Sequence, residues 1–161
     1  MTIQFTSKKV GELLKEGNLR IPSYQRPYKW NRKHIRNLFY DLRDAMGKKE
    51  YQIGSVILHE NDGNDRYLDI VDGQQRLISI SLFLHLLDDL ENYKGANQLL
   101  SAAEFGELSC YHASENYNEW ENLTQLVGEN QAKDICNFLL ENCSVSVITM
   151  PQKRLSLIHI S

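Results

Sequence analysis

Apolar residues recur along this chain at spacings that switch between helical and strand-like, and glycines and prolines mark the switches. Thr6 or Ser7 is placed to cap a short helix through Val10, Leu13 and Leu14, with Gly17 stopping it. Residues 19–21 read as a short strand ended by Pro22. The stretch 23–30 reads as an ordered loop, since Pro22 and Pro27 exclude helix. Asn31 caps a second helix, where Ile35, Leu38, Phe39, Leu42 and Met46 follow the spacing of one buried face and Gly47 closes it. Residues 52–60 and 66–71 are strands around Asn61-Asp62-Gly63-Asn64, a hairpin signal.

Residues 77–90 carry two patterns. Ile78, Ile80, Leu82, Leu84 and Leu86 alternate as in a strand, but length without a breaker favours a buried helix. Residues 94–118 are polar and weakly patterned, and read as a connection with a helical turn. Two helices follow, 119–127 and 131–140, separated near Gly128. A strand at 144–150 is then stopped by Pro151. The last residues, 155–161, resemble the translation of a sequencing-adapter and are set aside as a non-native tail. On that reading the chain is the front part of a longer protein, and strand 144–150 lies at a sheet edge.

Composition adds bounds. The 161 residues are 42% hydrophobic and 24% charged, which suits one soluble domain with its own core. No apolar run is long enough to span a membrane and no signal peptide precedes the first element, so a cytoplasmic protein is expected. Cys110, Cys136 and Cys143 lack metal-ligand spacing and read as reduced, structural thiols. Cys136 and Cys143, seven apart, would share a helix face in the core. His85, inside an apolar run, reads as a core histidine.

The net charge is −3, yet residues 26–36 hold Arg26, Lys29, Arg32, Lys33 and Arg36 with no acid. One basic segment on an acidic body suggests a focused anion site or a nucleic-acid edge, with a solvated helix face as the bland alternative. Lys29, Arg32, Lys33 and Arg36 would suit a DNA backbone.

The sharpest chemistry is Asp72-Gly73-Gln74-Gln75-Arg76, between a strand and a helix. Glycine at such a turn lets backbone approach a ligand. The helix start offers unpaired N–H groups and a positive dipole end, and Arg76 adds a fork of donors matched to phosphate. Gln74 or Gln75 would supply amide donors or orient a water. Asp72 either caps the helix or holds Mg²⁺. A structural alternative has Arg76 pairing Asp69 or Asp72 inside the protein. No Gly-x-x-x-x-Gly-Lys loop is present, which excludes a P-loop.

Ile21-Pro22-Ser23-Tyr24-Gln25-Arg26-Pro27-Tyr28-Lys29-Trp30, then Gly54, then Ile70 to Leu77 around the DGQQR motif, make the chain resemble the N-terminal domain of GmrSD-type restriction endonucleases. The resemblance is good over residues 1–92 and loose over 93–150. It implies an α+β fold: a ParB/sulfiredoxin-like small mixed sheet with flanking helices over 1–92, followed by a helical segment over 93–154. It further implies nucleotide (NTP) binding and hydrolysis with Mg²⁺, coupled to DNA cleavage in antiviral defence by an HNH-type nuclease domain or subunit. No such His/Asn/His metal signature is in this chain. By the same resemblance Gln25 and Arg26 face the phosphates. Tyr24, Tyr28 and Trp30 would stack a base or pack their loop, so Tyr28 joins Gln25, Arg26, Asp72, Gly73, Gln74, Gln75 and Arg76 as nucleotide-binding candidates. Asp72, Gln74, Gln75 and Arg76 are the catalytic candidates; none is assigned as a general base.

Overall fold

Strands supply a five-stranded sheet, and the long amphipathic stretches pack as helices against it. The computed structural model describes residues 2–22, 27–60, 67–103 and 107–151. The elements are β1 (Gln4–Lys9), α1 (Val10–Lys15), β2 (Leu19–Arg20), α2 (Arg32–Ala45), β3 (Tyr51–Glu60) and β4 (Leu68–Asp72). Next come α3 (Gln74–Leu86), a 3₁₀ turn (Leu90–Asn92), α4 (Lys94–Ala103), α5 (Glu107–Val127), α6 (Glu129–Glu141) and β5 (Cys143–Met150). The sheet order is β1-β5-β3-β4-β2. β5 runs antiparallel to β1 and parallel to β3, while β4 runs antiparallel to β3 and parallel to β2. A mixed sheet flanked by helices is the α+β architecture expected from the sequence.

The last strand is not at an edge. β5 lies between β1 and β3, so the strand that follows the helical region is built into the sheet. Cys143 begins that strand instead of continuing α6, and both Cys136 and Cys143 are buried in the core. Burial pushes both thiols up to about 12, which makes them inert packing groups.

Other elements correct the sequence reading. Thr6 and Ser7 lie in β1, which is exposed along most of its length, and α1 starts only after Lys9. Asn31 does cap α2: its side-chain oxygen accepts from the N–H groups of Lys33 (3.0 Å) and His34 (3.3 Å). The buried face of α2 ends on Ala45, whereas Met46 is 37% exposed. The hairpin turn proposed at 61–64 falls outside the described residues, but β3 and β4 pair antiparallel as it requires. Residues 94–118, read as a connection, contribute α4 and most of α5.

The core gathers on Trp120 of α5. Its ring stacks on Phe83 of α3 (4.2 Å between centroids) and meets Phe39 of α2 edge-on (6.4 Å). Its indole N–H donates to the Ser79 carbonyl (2.9 Å). Three helices are thereby fixed around one aromatic cluster. α3 is buried on nearly every face, including Ser79 and Ser81, whose hydroxyls donate to the carbonyls of Gln75 and Leu77 one turn back (both 2.8 Å). His85, expected inside, is exposed beside the Tyr117 ring.

Candidate phosphate-binding cleft at the start of α3

β4 delivers Asp72 to the sheet end, and Gly73 turns the chain into α3 with φ +97°. Two reasons require glycine there. The left-handed backbone disfavours a side chain, and a Cβ would press on the Ser55 carbonyl oxygen (3.0 Å) and Val56 Cγ2 (3.1 Å) of β3. Gly73 is also the N-cap and has no side chain to bond the first N–H groups of the helix. Asp72 does not take that capping role: it is exposed, and no side-chain cap bond closes this helix start. The first turn of α3 therefore keeps donors and a positive dipole end toward the cleft.

Arg76 leaves this first turn and lies across β3 at Gly54, where φ is +143° and the pairing with β5 shifts register. A Cβ on Gly54 would collide with Arg76 Nη1. The guanidinium sits 5.7 Å from the Trp30 ring centroid. Among the described residues it forms no ion pair. Asp69, one carboxylate considered for it, is held by Arg20 at 2.8 Å instead.

The loop before α2 is tied to α3 by Gln75 and by Tyr28. Gln75 Oε1 accepts from the N–H groups of Lys29 (2.7 Å) and Trp30 (3.2 Å), and its Nε2 donates to the Pro27 carbonyl (3.2 Å). Gln75, expected to meet phosphate or water, holds the loop. Tyr28, expected among the nucleotide contacts, is 2% exposed, its hydroxyl 2.6 Å from the Ser79 hydroxyl. Burial raises its pKa to about 12, against the opposing hydrogen bonds of Ser79 and Asn116. Asn116 Nδ2 donates to Tyr28 Oη (2.8 Å) and to the Trp30 carbonyl (2.6 Å). Tyr28 thus packs the loop instead of stacking a base. Tyr24, Gln25 and Arg26 lie outside the described residues.

A cleft of about 600 Å³ opens beside these groups. Asp72, Gly73, Gln74, Gln75 and Arg76 all line it, together with Lys29, Trp30 and His34 from the loop and α2, and Gly54 and Ser55 from β3. Gln74 is largely buried at its inner wall. Sequence reasoning missed His34, which stacks on Trp30 (5.0 Å, 17° between planes). Its Nδ1 lies 3.1 Å from both the backbone nitrogen and the side-chain oxygen of Asn31. The one available signal was its position three residues after the Asn31 cap.

The basic segment divides. Lys29 lines the cleft. Arg32 pairs with Glu115 and Glu119 (3.3 Å each), and Arg36 reaches Glu119 at 3.5 Å. The hydrogen bond that Arg32 donates to Glu115 raises the Arg32 pKa further. Lys33 is exposed without an ion pair among the described residues. Acids of α5 thus offset much of the charge expected to meet DNA. Among the described residues no group of three or more His, Cys, Asp or Glu is arranged for a metal, and no helix is long and apolar enough to cross a membrane.

A comparison with curated proteins finds no match. The family model described as the GmrSD restriction endonuclease, N-terminal domain, matches residues 10–159, nearly the whole chain and every element from α1 to β5. That span contains the loop, the glycine turn and Arg76. The chain belongs to the GmrSD restriction endonuclease N-terminal domain family.

Proposed function

We propose that this domain binds a nucleoside triphosphate with its phosphates over the first turn of α3, and hydrolyses it as the regulatory part of a DNA-cleaving defence system. One observation carries the reading: an open cleft in which the Arg76 guanidinium, held over Trp30 and Gly54, faces an uncapped helix start with no carboxylate bound to it among the described residues. A guanidinium lodged in a cleft without its own counter-ion suits an incoming anion.

Asp72 is an exposed carboxylate on the rim of that cleft. A lone carboxylate fits Mg²⁺, which keeps several waters and takes its remaining ligands from phosphate oxygens. Mg²⁺, when bound, neutralises phosphate charge. Arg76 would pair with a phosphate oxygen, and Lys29 and His34 would add polar contacts from the loop and α2. Phosphoryl transfer asks mainly for positioning and charge neutralisation, and these residues are suited to both. An HNH-type nuclease domain or subunit would then supply DNA cleavage.

The alternative is a DNA-binding module without hydrolysis, resting on Lys29, Arg32, Lys33 and Arg36. The ion pairs of Arg32 and Arg36 with Glu115 and Glu119 weaken it. A thermal-shift screen of ATP, GTP, CTP and UTP with and without Mg²⁺ separates the two. A bound nucleotide raises the melting temperature by mass action. A shift with at least one nucleotide, larger with Mg²⁺, is expected. No shift with any at millimolar concentration, alongside DNA binding that collapses as salt rises, would favour the alternative.

A further inference from the structure

A second cleft, about 290 Å³, adjoins the first across the stacked Arg76, Trp30 and His34, which line both. Its character is different. The residues added on this side include Asn37 and Asp41 of α2, and Tyr51 and Ile53 of β3. His34, Asn37 and Asp41 recur at i, i+3 and i+7, so one face of α2 presents all three. Asn37 and Asp41 are exposed and make no hydrogen bond or ion pair within the described residues. Tyr51 and Ile53 are half-buried and give an apolar floor. Gln52 is pinned by Gly54, Ser144 and Ser146 and holds that floor in place.

The two compartments differ in their balance of charge. The first sets Arg76, Lys29 and a helix N-terminus against the one carboxylate of Asp72 on its rim. The second sets the Asp41 carboxylate and the Asn37 amide over apolar walls, with Arg76 as the cation at its boundary. A carboxylate accepts hydrogen bonds from neutral hydroxyls. A nucleotide has that same division, an anionic tail and a neutral, hydroxyl-bearing nucleoside.

We infer that the second cleft is the nucleoside subsite, with Asp41 accepting the ribose hydroxyls and Asn37 beside it, so that the site selects ribonucleotides over deoxyribonucleotides. The inference rests on the reading of the first cleft as the phosphate site. The Trp30 ring is engaged by His34 and Arg76 at the boundary between the two clefts.

The test is calorimetric titration of the whole chain, with Mg²⁺, using ATP, GTP, CTP and UTP, their 2′-deoxy counterparts, and inorganic triphosphate. The parent should bind the preferred ribonucleotide about tenfold or more tighter than its deoxy form, since a hydrogen bond to a charged group is worth about that factor. Asp41→Ala should abolish the preference and leave inorganic triphosphate binding unchanged. Asp41→Asn, which keeps size and one acceptor, should retain part of it. Equal affinity for ribo and deoxy forms in the parent would overturn the inference, as would a preference that survives in Asp41→Ala. In either case, intact triphosphate binding would leave the phosphate reading standing. Failure of the parent to bind triphosphate or any nucleotide would overturn both.

Discussion

At the scale of single residues, Gly54 and Gly73 explain why this corner stays open. Both have positive φ, and each sits where a side chain would meet a neighbour. Gly54→Ala should cost on the order of 1–3 kcal/mol from backbone strain and push Arg76 off its place over β3. Urea unfolding reads the first effect and nucleotide affinity the second; a variant unchanged in both would contradict this role for Gly54. The placement of Gly73 and Arg76 at a strand-to-helix turn was legible in sequence because a glycine marks the switch from strand to helix pattern. The role of Gln75 was not. An amide that meets phosphate and an amide that staples a loop have the same letter, and only the contacts with Pro27, Lys29 and Trp30 distinguish them.

At the scale of elements, legibility followed how burial was distributed. α2 was readable because it buries one stripe under an Asn31 cap. β1 was missed because most of its residues are exposed, which erases the alternation that reveals a half-buried strand. α3 is buried nearly all round, so its helical period vanished into apparent alternation. The first half of α5 was the costliest miss, since only 119–127 was read as helix. The inward positions of α5 include Asn116 and Glu119, polar letters that read as surface, yet they hold the loop and the base of α2. Asn116→Ala should leave the Tyr28 hydroxyl and Trp30 carbonyl short of a donor in a buried place. The expected loss is about 1–3 kcal/mol of stability, with weaker nucleotide binding as Trp30 is freed. Unfolding curves and titrations on the same preparation check both; unchanged nucleotide affinity would show that α5 does not position the cleft.

At the scale of the whole molecule, the fold places its buried acids where they resist ionisation. Cys136, Cys143 and Tyr28 have folded pKa values of about 12, raised by burial above the ordinary 9.0 for a thiol and 10.0 for a phenol. As pH rises the unfolded chain therefore loses these protons first. Stability from these groups is complete below about pH 9 and drains away between about pH 9 and pH 12. Chemical unfolding midpoints should fall steadily across that window. Tyr28→Phe should reduce the part of the decline that starts near pH 10, and a flat profile would contradict the burial of these groups. The sheet itself was only partly legible, since placing β5 between β1 and β3 depends on pairing across the whole chain.

The central proposal is that Arg76 is the anion partner in the cleft it lines. The most direct measurement is titration of the preferred Mg²⁺–nucleotide into the parent and Arg76→Ala, with unfolding midpoints recorded for both. Loss of one charge-assisted bond predicts affinity weaker by about tenfold to a hundredfold, while the half-buried position of Arg76 predicts a fold that remains intact. Equal affinity in two equally folded proteins would contradict the assignment.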